Sequence, residues 1–166
     1  MTLLFWFRRD LRVQDNEALS AAVLRAKSED QPLAAAYVFG EDFQNLSPIR
    51  SNSLITSVKS LSDSLPEGLI IRSGNVAASL LALCKDLDVS VVYATRSFDT
   101  HGMLEQSAVA ESLYGAGISL KLVGSNYAVQ PGTVRKDDES PLRVYTPFYK
   151  RWVQFIGQRP IAVETE

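Results

Sequence analysis

Charged side chains directly follow the first apolar run of the chain, where an α/β sheet usually binds its ligands. Residues 3–7 are all apolar, and they lead into Arg8, Arg9, Asp10, Arg12 and Asp15. An uninterrupted apolar run is typical of a central parallel strand, and ligands bind in the crevice at the carboxyl ends of such strands. The arginines could bind a ligand there, or they could pair with the two aspartates and only brace the turn. The residues by themselves leave both interpretations open.

Several other chemistries lack the residues they require. One histidine and one cysteine cannot form a tetrahedral zinc site. Neither a Walker loop nor the dinucleotide fingerprint is present, and charged residues stand where glycines would admit a pyrophosphate. No nucleophile-elbow spacing accompanies His101, so we expect it to be a loop residue at the solvent edge or a ligand contact. Cys84 lies in an apolar helical pattern and is expected in the core.

Length and composition favour one soluble domain. The chain has 166 residues, of which 46% are hydrophobic and 22% charged. It contains neither a secretory signal nor an apolar run of the roughly 18 residues that span a membrane, which predicts a cytoplasmic protein without membrane contact. A net charge of -2 argues against nucleic-acid binding by this segment alone.

Strand and helix patterns alternate along the chain, as in βαβ units. Helices are predicted to begin after a cap at Asp15 or Asn16, after Ser47-Pro48, after Ser73-Gly74-Asn75 and at about Met103. The predicted strands are Leu3–Phe7, Leu33–Phe39, Leu69–Arg72, Val89–Ala94 and Ile118–Val123. This order predicts a single α/β domain of three layers, with a doubly wound parallel five-stranded sheet of the Rossmann-like kind.

The last forty residues have a different character. Residues 126–143 contain Pro131, Gly132 and Pro141 and predict a long loop. An aromatic helix should follow, with Thr146 as its cap and Pro147 at its first position. We therefore divide the chain into an α/β core, 1–125, and a segment 126–166 that contains the loop, the aromatic helix and the start of a linker. The chain is expected to be a fragment of a longer protein.

Three motifs in the same order carry a family resemblance. They are Trp6-Phe7-Arg8-Arg9-Asp10-Leu11-Arg12 followed by Asp15-Asn16, then Ser47-Pro48-Ile49-Arg50, and finally Val144-Tyr145-Thr146-Pro147-Phe148-Tyr149-Lys150-Arg151-Trp152. Together with the α/β alternation, they resemble the amino-terminal domain of the DNA photolyase and cryptochrome family. The resemblance covers nearly the whole chain.

The resemblance implies a function for the full protein. It would be a deoxyribodipyrimidine photolyase, a carbon-carbon lyase that repairs UV-induced pyrimidine dimers in DNA with blue light, or alternatively a cryptochrome photoreceptor. Its FAD would lie in a carboxyl-terminal helical domain reached through the linker, and damaged DNA would be bound only by the full-length protein. The fragment alone would not be catalytic, and its exposed aromatic helix would favour self-association. A generic nucleotide-binding α/β protein is the remaining alternative.

In that family, this domain holds a light-harvesting antenna chromophore, which is a folate, a deazaflavin or a flavin. Such a role needs an apolar slot for a planar ring and a few polar groups that orient it. Matching positions imply arginine donors, an aromatic contact and hydrogen bonds from the loop after the fourth strand. The implied residues are Arg9, Phe39, Gly40, Glu41, Arg50, Ser97, Asp99, Thr100 and His101.

The sequence also departs from its relatives at this site. Folate-binding members commonly have Asn-Glu where this chain has Thr100-His101, and many others have Glu-Pro-Tyr at 99–101. A carboxylate can accept from a pterin's amino group and ring nitrogen together, which threonine and histidine cannot do. The missing glutamate weakens the folate assignment and makes a flavin-type antenna, or an empty pocket, equally plausible.

Overall fold

Five strands and five helices follow one another in a computed structural model that describes residues 1–158. The strands are β1 (Thr2–Phe7), β2 (Leu33–Phe39), β3 (Ile70–Ser73), β4 (Val89–Thr95) and β5 (Ser119–Val123). The helices are α1 (Glu17–Glu29), α2 (Pro48–Ser64), α3 (Val76–Asp86), α4 (Thr100–Tyr114) and α5 (Tyr145–Gln158). A short 3-10 turn, Glu41–Asn45, follows β2.

The strands form one parallel sheet in the order β3-β2-β1-β4-β5. Helices α1 and α2 pack on one face of this sheet, and α3 and α4 pack on the other. The chain therefore winds in both directions from β1, which confirms the doubly wound α/β fold. Within residues 1–158, no helix combines the length and the apolar character needed to cross a membrane.

The central strand β1 is buried on both of its faces. Leu3, Phe5 and Phe7 pack towards α1 and α2, whereas Leu4 and Trp6 pack towards α3 and α4. Alternate side chains of a strand point to opposite faces, so a strand covered on both sides must be apolar throughout. Phe5 and Trp6 therefore belong to the core of the sheet, and the central parallel strand predicted from the apolar run is confirmed.

Side-chain caps set the beginnings of three helices. Asn16 accepts from Leu19 N at 3.1 Å, and Asn75 accepts from Ala78 N at 3.0 Å. Asp99 accepts from Gly102 N at 2.9 Å and so caps α4. Because this cap starts α4 at Thr100 instead of the predicted Met103, Thr100 and His101 lie in its first turn and not in a loop.

The segment before α5 is a loop, as predicted. Residues 124–144 contain no helix or strand, and a single antiparallel bridge joins Arg135 to Pro141. The prediction that Thr146 caps α5 was wrong, because the helix begins at Tyr145 and Phe148 N donates to Val144 O at 3.3 Å. Proline is tolerated at the third helical position because N–H groups of the first turn have no partner within the helix. The predicted linker, 160–166, lies outside the described residues.

Candidate ligand site at the carboxyl edge of the sheet

Arg8 connects the end of β1 to the first turns of α4. Its Nη2 lies 2.6 Å from Glu105 Oε2 and donates to Gly102 O at 2.8 Å. Its guanidinium carbon lies 4.6 Å from the centre of the Trp6 ring. Only 5% of the Arg8 side chain is exposed. The contacts that hold α4 at the end of β1 are therefore made by a buried charged group.

Asp10 joins three segments of the chain at the same edge of the sheet. This buried carboxylate accepts from Arg8 N at 3.3 Å and from Asn16 Nδ2 at 3.2 Å. It also accepts a short hydrogen bond from the Thr95 hydroxyl. The end of β1, the start of α1 and the end of β4 are therefore held together, and Asp10 serves the bracing role that the sequence allowed.

The other two arginines of the motif lie at the surface. Arg12 Nη2 donates to Asp15 O at 2.8 Å, within the turn itself. Arg9 Nη1 lies 3.0 Å from Asp99 Oδ2, and 59% of its side chain is exposed. The Gly102 N–H that Asp99 accepts, together with the Arg9 charge, holds the pKa of Asp99 below its ordinary value. Arg9 thus steadies the cap of α4.

A cavity of about 320 Å³ opens at this edge between the turns that follow β2 and β3, the start of α3, and α4. Small-molecule sites usually enclose about 300 to 1,000 Å³, so the space suits a single planar ring system. The lining residues are Gly40, Glu41, Asp42, Gly74, Asn75, Val76, Ala77, His101, Leu104, Glu105 and Ala108. The His101 Nε2 atom lies 3.0 Å from Asp42 Oδ2, which connects α4 to the turn after β2.

Three of the nine predicted site residues line this cavity, namely Gly40, Glu41 and His101. Phe39 and Arg50 lie elsewhere. The Phe39 ring packs against Tyr37 and Phe43 in the cluster under α1 and α2, across the sheet from α4. Arg50 is exposed on α2.

The remaining predicted residues surround the beginning of α4. Ser97 N donates to Gln106 Oε1 at 3.1 Å, and Thr100 is exposed in the first turn. A Cβ atom on Gly102 would lie 2.5 Å from Ser97 Cβ, so glycine is needed for the loop to close against the helix. With Arg9 and Asp99, these residues determine where α4 begins and therefore where His101 stands.

Sequence reasoning missed most of the α4 wall. His101, Leu104, Glu105 and Ala108 are spaced i, i+3, i+4 and i+7, which places them on one face of a helix. The spacing would have indicated these residues if the helix had been predicted to begin before His101. The turn Gly74-Asn75 was recognised as a helix start but not as a wall of the site.

The cavity combines apolar walls with an acidic rim. Val76, Ala77 and Leu104 supply apolar surface, whereas Glu41, Asp42 and Glu105 supply carboxylates. Neither lysine nor arginine is among the described residues that line it. No group of three or more histidine, cysteine or acidic side chains within residues 1–158 is arranged to hold a metal ion. The arrangement suits a flat, uncharged ring whose edge carries N–H donors.

Comparison with known proteins identifies the family. The sequence model described as DNA photolyase matches residues 3–164. This chain belongs to the DNA photolyase family. It is 30% identical to the deoxyribodipyrimidine photo-lyase of Halobacterium salinarum, over 98% of this chain and 36% of the relative.

Solved photolyase-family structures share the fold. A class III photolyase from Agrobacterium tumefaciens superposes with a TM-score of 0.76 and 28% identity, over 90% of this chain and 31% of that protein. A cryptochrome from Synechocystis superposes with a TM-score of 0.81 and 23% identity, over 99% of this chain and 35% of that one. The chain spans about a third of the length of these photolyase-family proteins.

Proposed function

We propose that this chain is the antenna-chromophore domain of a deoxyribodipyrimidine photolyase. The observation that carries the proposal is the 320 Å³ cavity at the carboxyl edge of a photolyase-family sheet. It has the size and apolar walls that a planar chromophore requires. The whole protein would repair UV-induced pyrimidine dimers with blue light, and this domain would collect that light.

The chromophore would be a folate, a deazaflavin or a flavin, with its ring between the turns after β2 and β3 and helices α3 and α4. When bound, it would absorb light and pass the excitation to the FAD of a carboxyl-terminal helical domain. Gly40, Glu41 and His101 would contact it directly, whereas Arg9 and Asp99 would act by positioning α4. In this proposal, residues 1–125 form the antenna core and residues 126–166 lead to the helical domain.

Titration of the chain with candidate chromophores tests the proposal. Fluorescence would follow the binding of FMN, 8-hydroxy-5-deazariboflavin, 5,10-methenyltetrahydrofolate and, for comparison, ATP. Ala108→Trp should abolish chromophore binding, because the indole would occupy the cavity. Ser107→Trp, on the neighbouring exposed position of α4, should leave it unchanged. Binding of ATP without any chromophore would instead support a nucleotide-binding protein.

A cryptochrome photoreceptor is the second candidate, since the Synechocystis cryptochrome shares this fold. Blue-light repair of an oligonucleotide containing a thymine dimer, measured on the full-length protein with its FAD reduced, separates the two. Repair would support a photolyase, whereas chromophore binding without repair would support a photoreceptor. The 166-residue chain alone should show no repair, and turnover by it would contradict its role as an antenna domain.

The helical domain is the proposed partner of α5. Arg151 Nη2 contacts Asp137 Oδ2 at 2.7 Å, which holds α5 against the preceding loop. The rings of Tyr145 and Tyr149 stack at 5.7 Å, and those of Tyr149 and Trp152 stack at 6.5 Å. A partly exposed aromatic ladder of this kind suits a domain junction.

A further inference from the structure

Arg8 holds the Glu105 side chain by only one of its two carboxylate oxygens. Arg8 Nη2 and Nε lie 2.6 Å and 3.0 Å from Glu105 Oε2. The other oxygen, Oε1, has no hydrogen-bond partner among the described residues, and 27% of the side chain is exposed. A carboxylate can accept at both oxygens, so Glu105 retains a free acceptor.

The residue that carries this acceptor lines the cavity. Glu105 lines it from α4, one helical turn after His101 and on the same face. Positions 100 and 101 carry no carboxylate. Glu105, four residues after His101 on the same helix, supplies one at the same wall of the cavity. Glu41 and Asp42 also lie at the rim, although both are exposed and neither has a buried cation holding it.

We propose that Glu105 determines which ring the cavity binds, by accepting hydrogen bonds from an amino group that stands beside a ring N–H. The inference rests on the proposed function and deepens it. A carboxylate offers only acceptors, so a ring with a carbonyl at that edge would place oxygen against oxygen. The cavity therefore favours a 2-amino-4-oxopteridine over a 2,4-dioxo ring system such as that of a lumazine or a flavin.

Arg8 is a positioning residue in this arrangement. Its side chain is buried and fixed by Gly102 O and by the Trp6 ring, so it cannot follow Glu105 into solvent. A carboxylate held in this way loses little conformational freedom when a ring binds, which increases the benefit of each hydrogen bond. Discrimination should consequently depend on Arg8 as well as on Glu105.

Two small rings provide the first test on the wild-type chain. Pterin and lumazine have the same bicyclic skeleton. At one position pterin carries an amino group and lumazine carries a carbonyl. Fluorescence titration at a mildly acidic pH, where both rings are uncharged, should give a dissociation constant at least about tenfold lower for pterin, as expected for one hydrogen bond to a charged group. FMN should bind with an affinity closer to that of lumazine.

Two variants assign the preference to Glu105. Glu105→Gln keeps the size of the side chain and an oxygen for Arg8, and it should reduce the preference for pterin to about twofold or less. Glu111→Gln removes an exposed carboxylate of α4 that does not line the cavity and should leave the preference unchanged. Circular dichroism would show that each variant is folded, and if Glu105→Gln is not, the wild-type ratio decides alone.

The outcomes separate the two proposals. Preference for pterin in the wild type, lost in Glu105→Gln and kept in Glu111→Gln, supports the role of Glu105. Equal binding of pterin and lumazine, or a preference that survives Glu105→Gln, overturns that role but leaves the antenna function intact. Failure of every ring, including FMN and the deazaflavin, overturns both.

Discussion

Arg8 and Arg9 are neighbours in the sequence but have opposite environments in the structure. The Arg8 side chain is 5% exposed and pairs with Glu105, whereas the Arg9 side chain is 59% exposed and pairs with Asp99. Consecutive residues at the end of an extended strand point to opposite sides, which separates the two guanidinium groups. One arginine therefore belongs to the interior and the other to the surface.

Loss of the Arg8 guanidinium should destabilise the fold. Arg8→Met would leave Glu105 without its cation in a half-buried position, which should lower the free energy of unfolding by roughly 3 kcal/mol. Arg9→Lys, the control, alters an exposed pair and should change it by less than about 1 kcal/mol. Urea denaturation followed by tryptophan fluorescence measures both, and equal effects would contradict the assigned roles.

Cys84 should show the properties of a buried thiol. Burial raises its pKa to about 11, above the ordinary 9.0. A folded-state pKa above the unfolded value means that the contribution to stability is complete below pH 9 and is lost as the pH rises through about 11. The free energy of unfolding, measured across this pH range for the wild type and for Cys84→Ala, should show this decline as the difference between the two proteins. A difference in the free energy of unfolding that does not change with pH would mean that the thiol is not buried.

Among the elements, α4 contributes most to the site. Its cap at Asp99, its carbonyl at Gly102 and its side chain at Glu105 are each bonded to one of the arginines that follow β1. These bonds fix α4 to the end of the central strand, and the cavity wall that contains Glu105 is positioned with it. The α3 wall depends instead on its own cap, Asn75.

Gly102→Ala should disturb the start of α4. The added Cβ would lie 2.5 Å from Ser97 Cβ and 2.9 Å from Asp99 Oδ2, which requires the loop to shift. We expect a lower melting temperature and weaker chromophore binding. Gly115→Ala, at the other end of the helix, meets its nearest atoms at 3.7 Å and should change neither. An unchanged affinity in Gly102→Ala would show that the start of α4 does not position the site.

At the scale of the whole molecule, α5 stands apart from the sheet. It is tied to the preceding loop by Arg151, which donates to Arg135 O at 3.0 Å and pairs with Asp137. Tyr149 is 48% exposed and Val153 44% exposed, although both are apolar in character. In the proposed full-length protein, the helical domain would cover this surface.

The chain without that domain should therefore self-associate. Sedimentation velocity at increasing concentration should detect dimers or larger species, and the double variant Tyr149→Ser, Val153→Ser should remain monomeric. Leu24→Ser, which changes an exposed apolar residue on α1, serves as the control and should not alter association. Association that persists in the double variant would exclude α5 as the contact.

The sequence by itself determined the order of elements and the burial of β1, because apolar runs, prolines and capping residues act within a few residues of one another. β2 was predicted with its observed ends, Leu33–Phe39, and Asn16 was one of two expected caps. Local rules also favoured Thr146 as the cap of α5, but the chain had already turned at Val144.

Only the tertiary structure decided which charges meet. From the sequence, Arg8 had nearby partners in Asp10 and Asp15, yet it pairs with Glu105, 97 residues away. That partner depends on how α4 crosses the end of β1, and the cavity depends likewise on the gap between α4 and the turns after β2 and β3. Such distances result from the packing of whole elements, so the sequence could indicate the edge of the sheet that binds but not the residues that form the pocket.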